Sequence, residues 1–113
     1  MTKQTKGKKK AAKIHVLQEG GKTIIRPTFD VVASLLPELR NALKQAVNKG
    51  AKDVSVDMSH VTMIDSMGLE LIIATLNSLN TTGGKFSVIN VSKDVVDLFR
   101  NMRLDKHFAV IGA

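Results

Sequence analysis

Between Val54 and Leu79 the apolar residues change their spacing once, and that change constrains the fold more than any other feature of the chain. Val54 and Val56 alternate with Ser55 and Asp57, the period of a strand with two unlike faces. After the polar turn Asp65-Ser66-Met67-Gly68 the apolar residues become Leu69, Ile72, Ile73, Leu76 and Leu79, the stripe of a helix. A strand that feeds a helix through a Ser-containing turn brings a hydroxyl to a helix N-terminus. Free backbone N–H groups and the helix dipole both favour negative charge there.

The same alternation extends in both directions. Ile14, Val16 and Leu17 predict a strand over residues 13–18, Glu19-Gly20-Gly21-Lys22 a turn, and residues 23–26 the returning strand of a hairpin. Pro27 removes a donor and belongs at the end of that strand or at a sheet edge. Ser34 is the expected N-cap of a first helix, with Pro37 and Glu38 in its opening turn and Leu35, Leu36, Leu39, Leu43, Ala46 and Val47 at helical spacing. Gly50 is placed to end it. Residues 85–90 predict a further strand, Ser92 the cap of a third helix with Val95, Val96, Phe99 and Met102 inward, and residues 108–111 a short final strand.

Strands separated by helices favour parallel neighbours joined by right-handed crossovers. The expected fold class is therefore α/β: one domain, a mostly parallel central sheet with an N-terminal hairpin, and helices packed mainly on one face. At 113 residues the chain is long enough for a single core without covalent staples. With four Phe and no Trp or Tyr, that core is built from Val, Ile, Leu and Met.

The formal charge of +7 is concentrated at one end. Lys3, Lys6, Lys8, Lys9, Lys10 and Lys13 lie in the first 13 residues without an acid among them, and the rest of the chain is nearly neutral. Residues 1–12 are expected to form a disordered basic tail ahead of a domain over residues 13–113. A solvated, solubilising role is the plain expectation for such a tail; contact with nucleic acid, anionic lipid or an acidic partner is the alternative.

Several chemistries find no support. There is no Cys, which removes disulfides, thiolate nucleophiles and thiolate metal sites. His15, His60 and His107 are scattered, and Asp57 with His60 lacks the further ligands a metal centre needs, so no metal or cofactor is expected. Ser66, His60 and Asp57 form a triad only on paper, because the G-x-S-x-G elbow is missing. Phosphate-binding glycine motifs are also missing, and no catalytic residue is assigned. The domain has no aromatic platform interleaved with basic residues, so specific nucleic-acid binding is not expected of it. No run reaches the ~20 apolar residues of a membrane span, and no secretory h-region follows the basic start, so a cytoplasmic location is expected.

This leaves the turn at Asp65-Ser66. Either residue can cap the following helix, and Ser66 can also be an exposed acceptor for a phosphate carrying roughly −1.5 to −2 charges.

The segment Asp57-Met58-Ser59-His60-Val61-Thr62-Met63-Ile64-Asp65-Ser66-Met67-Gly68-Leu69 resembles the signature of the STAS family, the SpoIIAA-like anti-sigma-factor antagonists. There a strand ends in Asp-Leu-Ser, and Asp-Ser-x-Gly-Leu opens a helix. The likeness runs over about residues 14–111. Phe29-Asp30 falls at a family turn, Gly83-Gly84-Lys85 at the break before a strand, and residues 92–103 at the following helix. Two departures are Pro27, where Gly is common, and an end near Ile111, where the family's C-terminal helix would be short or absent.

The resemblance implies a non-enzymatic phospho-switch with Ser66 as phosphoacceptor. Asp30, Asp57, Asp65, Met67 and Gly68 would border or form the partner-binding surface. The implied partners are an anti-sigma factor that is a serine kinase of the histidine-kinase-like ATPase type, and a PP2C-type phosphatase. Unphosphorylated protein would sequester the kinase and free a sigma factor. A constitutive interaction module, serving a stressosome-type scaffold, a transporter or a lipid-transport system without phosphorylation, is the alternative the family offers.

Overall fold

A computed structural model describes residues 14–113; the expected basic tail lies outside them. Among the described residues five strands form one sheet in sequential order: β1 (Ile14–Glu19), β2 (Lys22–Pro27), β3 (Asp53–Asp57), β4 (Lys85–Val91) and β5 (Ala109–Gly112). β1 and β2 are antiparallel, and every later neighbour is parallel. Pro27 is the last residue of β2, where its missing N–H costs no interior ladder bond.

Three helices connect the strands: α1 (Leu36–Asn48), α2 (Ser66–Thr81) and α3 (Lys93–Asn101). Each parallel strand lies beside its predecessor, so right-handed crossovers return every helix to the same face of the sheet. Leu39 and Leu43 of α1, Ile72 and Leu79 of α2, and Val95 and Phe99 of α3 join Ile25, Val54, Val56 and Val88 of the sheet in one core. The expected α/β architecture is the one observed.

The opposite face is lined differently. Paired residues place Leu17, Ile24, Ser55, Ser87 and Ala109 in one row across the strands, and His15 and Arg26 in the next. Ser55 and Ser87, both on parallel strands, satisfy each other's hydroxyls at 2.6 Å. That mutual bond satisfies the hydroxyl of Ser55, which is completely buried.

One expected start and one expected strand are corrected, and Met102, expected inward on α3, is 48% exposed just past its end. Ser34 does not cap α1. It lies inside a 3-10 turn (Ala33–Leu35), and α1 begins at Leu36 with no side-chain cap of its own. The final strand begins at Ala109, because Phe108 turns into the core and meets Phe86 and Phe99 edge-on at centroid distances of 5.3 and 5.8 Å. Those edge-to-face contacts are favourable beyond the area they bury. Ser92 caps α3 as expected, accepting from Val95 N–H.

Candidate functional site

At the C-terminal end of β3 the chain does not enter α2 directly. Met58, Val61 and Ile64 bury their side chains, while Thr62 and Met63 stay exposed. Buried and exposed residues alternate irregularly because this loop is laced to a second one, residues 28–33. Val31 N–H donates to the Met63 carbonyl at 3.0 Å, and Asp65 N–H to the Val31 carbonyl at 3.2 Å. Val31 and Ile64 form a single parallel bridge outside the sheet.

Two carboxylates complete the lacing. Asp30 Oδ1 accepts from Thr62 N–H (2.8 Å), Thr62 Oγ1 (3.1 Å) and Met63 N–H (3.2 Å). These bonds hold its carboxyl below the usual range, the Thr62 N–H contributing most. Asp65 is the N-cap of α2, with Oδ1 accepting from Gly68 N–H at 2.8 Å, and its Oδ2 accepts from Ala33 N–H at 2.9 Å. Its pKa is also lowered, first by the Ala33 N–H and then by the Gly68 N–H.

Ser66 is therefore the first residue of α2 rather than its cap, and it is exposed. The question the sequence left open, which of Asp65 and Ser66 caps the helix, is resolved in favour of Asp65. Met67 follows at 45% exposure, and Met63 stands at 58%. Gly68 faces inward. A Cβ built there would lie 2.3 Å from the Val31 carbonyl oxygen and 2.8 Å from Val31 Cγ1, so only glycine lets the helix approach the 28–33 loop this closely.

Asp57 is set apart from this cluster by its burial. Its Oδ2 accepts from Arg26 Nε at 3.1 Å and its Oδ1 from Ser59 N–H at 3.0 Å. Burial pushes its carboxyl up, but hydrogen bonds from the Ser59 N–H, Asn90 and Arg26 outweigh this and leave the pKa lowered. Its carboxylate holds the end of β3 to β2. Sequence reasoning missed that Arg26 partner and the Asp65–Ala33 bond, since neither pairing has a local signal. It also passed over Met63, which reads as part of an apolar link and turns out to be exposed beside the turn.

Among the described residues no group of three or more His, Asp or Glu is placed to hold a metal, and no helix is long and apolar enough to cross a membrane. The site is an exposed hydroxyl in the first turn of a 16-residue helix, held by two loops that two aspartates pin together.

A single layer of helices on one mixed sheet, with this Asp-Ser turn in the loop that follows its central strand, defines an α/β domain of one recognisable class. Residues 13–112 match the STAS domain, and the chain belongs to that family. The anti-sigma-B factor antagonist of Staphylococcus epidermidis is 34% identical over 64 residues, which cover 57% of this chain and 59% of that protein. The chain thus spans somewhat over half the length of the curated relatives it matches. In structure it is similar to a putative anti-sigma factor antagonist of Thermotoga maritima (TM-score 0.82, 20% identity, 88% of this chain and 86% of that one). It is similar as well to the phosphorylated form of the Bacillus cell fate determinant SpoIIAA (TM-score 0.68, 16% identity, 86% and 89%).

Proposed function

We propose that this protein is an anti-sigma-factor antagonist that works as a phosphorylation-controlled binding switch. The observation that carries the proposal is the position of Ser66: exposed, at the first residue of α2, with the capping duty already taken by Asp65. Its hydroxyl is free to react without removing a hydrogen bond the fold depends on. Family membership and the names of the staphylococcal relatives support the partner class.

In the unphosphorylated state the turn, with exposed Met63 and Met67 on either side of Ser66, docks on an anti-sigma factor that is also a serine kinase. That kinase is then unable to hold its sigma factor. Transfer of the γ-phosphoryl of ATP forms an O–P bond at Ser66 Oγ, breaks the bond to ADP, and passes the hydroxyl proton to a base on the kinase. The dianion is tolerated by the helix N-terminus, where the dipole favours it, but not by an apolar partner surface packed on the two methionines. A PP2C-type phosphatase reverses the step. The protein supplies a surface and a hydroxyl; catalysis belongs to its partners.

Incubation with the cognate kinase and ATP, followed by mass mapping, should place one phosphate on Ser66. Ser66→Asp should lose the kinase complex and Ser66→Ala should keep it. An unmodified Ser66, together with undiminished binding by Ser66→Asp, would overturn the proposal.

A further inference from the structure

The two edges of the sheet are built to different rules. β5 has four residues, and its pairing with β4 shifts register between Val88 and Val91. Short, irregular edges resist pairing with a foreign strand. β1 has six residues, pairs with β2 without a break from Ile14↔Pro27 to Glu19↔Lys22, and contains neither Pro nor Lys. Five of its six residues are exposed, Val16 and Leu17 among them at 53% and 38%. Its outer backbone edge meets no other strand among the described residues.

The hairpin fixes which groups that edge offers. Gly20 and Gly21 both have positive φ, as a two-residue type I′ turn requires, and such a turn closes on a hydrogen-bonded pair, here Glu19 and Lys22. Bonded and non-bonded pairs alternate along an antiparallel ladder, so His15 and Leu17 also bond inward to β2. Ile14, Val16 and Gln18 send their N–H and C=O groups outward. An antiparallel strand can add only where outward residues oppose outward residues. One register that satisfies this condition sets Val16 against Gln18 of a second copy and Leu17 against its own copy on a twofold axis. His15 then faces Glu19. The edge is self-complementary: apolar at the centre, with an imidazole opposite a carboxylate at each end.

We propose that β1 is a homodimer interface, in which two copies of this chain pair β1 to β1 and merge their sheets across a twofold axis through Leu17. The surface is separate from the Ser66 turn and does not depend on the switch.

The chain has no Cys, so a single introduced one reports the register. Opposed non-hydrogen-bonded residues in an antiparallel pair lie about 4.5 Å apart at Cα, within the span of a disulfide. Wild-type protein should sediment as a dimer at micromolar concentration, and Leu17→Lys as a monomer with an unchanged far-UV spectrum. On mild oxidation Leu17→Cys should cross-link nearly to completion, whereas Ile111→Cys, an exposed position on the opposite edge, should stay largely uncoupled. Wild type that is monomeric at high micromolar concentration would overturn the proposal, whether residues 1–12 or another protein then covers the edge. Equal cross-linking at the two positions would overturn it as well, and that comparison stands even if Leu17→Lys fails to fold.

Discussion

Asp65 Oδ2 accepts the backbone N–H of Ala33 at 2.9 Å across 32 residues of sequence, while its other oxygen caps α2 through Gly68. One carboxylate therefore satisfies orphan donors at two helical starts, the 3-10 turn before α1 and the first turn of α2. This explains why the 3-10 turn manages without a side-chain cap of its own; α1 continues from that turn, with Leu36 N–H donating to the Ala33 carbonyl.

Substituting the cap and its neighbour should separate their roles. Asp65→Ala should lower the urea midpoint and speed amide exchange at both Ala33 and Gly68. Ser66→Ala should change stability by less than about 0.5 kcal/mol, the usual range for an exposed site. If the Ser66 hydroxyl were the cap, its loss would cost about 1 kcal/mol, and equilibrium unfolding of the two variants distinguishes these outcomes.

Gly68→Ala tests the close approach through the sign of its effect. In a free helix the change stabilises by about 1 kcal/mol. Here the new methyl meets the Val31 carbonyl oxygen at 2.3 Å, and overpacking of this kind costs about 1–3 kcal/mol. Net destabilisation in urea titration is expected, with chemical-shift changes centred on Val31.

Acid should weaken the fold through the same carboxylates. Asp30, Asp57 and Asp65 all have folded pKa values below 3.8, so on acidification the unfolded chain binds protons before the folded one does. Their contribution is complete above the ordinary carboxylate pKa and is lost as pH falls through the depressed values. Urea midpoints measured from neutral pH downward should hold steady and then drop below about pH 4–5. The drop should be shallower in Asp57→Asn, which has less carboxylate stabilisation to lose.

Phe108→Ala removes the ring that meets both Phe86 and Phe99. A loss of about 3–5 kcal/mol is expected for a buried aromatic. Calorimetry should show a lower melting temperature, and β5 should become the least protected strand in hydrogen exchange.

What the sequence determined by itself was local. The change of period at residues 54–79, the glycines of the hairpin, Ser92 and the apolar stripes specify strands and helices, because each depends only on neighbours a few residues away. Right-handed crossovers then leave few ways to assemble them. The place of Ser66 at the entry to a helix was likewise legible, from a polar turn between a strand and an apolar stripe.

Tertiary structure alone decided what surrounds that serine. Asp30 reaches Thr62 and Met63, Asp65 reaches Ala33, and Arg26 reaches Asp57, all across 31 to 33 residues. These partners meet because β2 and β3 run parallel in one register, which brings the two loops at their ends side by side. Ser34 had the right local chemistry for a cap but lies inside the 3-10 turn, whose opening N–H, that of Ala33, is bonded by a carboxylate from the other loop. Local propensity is worth about 1 kcal/mol at such a position, and a distant donor or acceptor delivered by the packed fold is enough to override it.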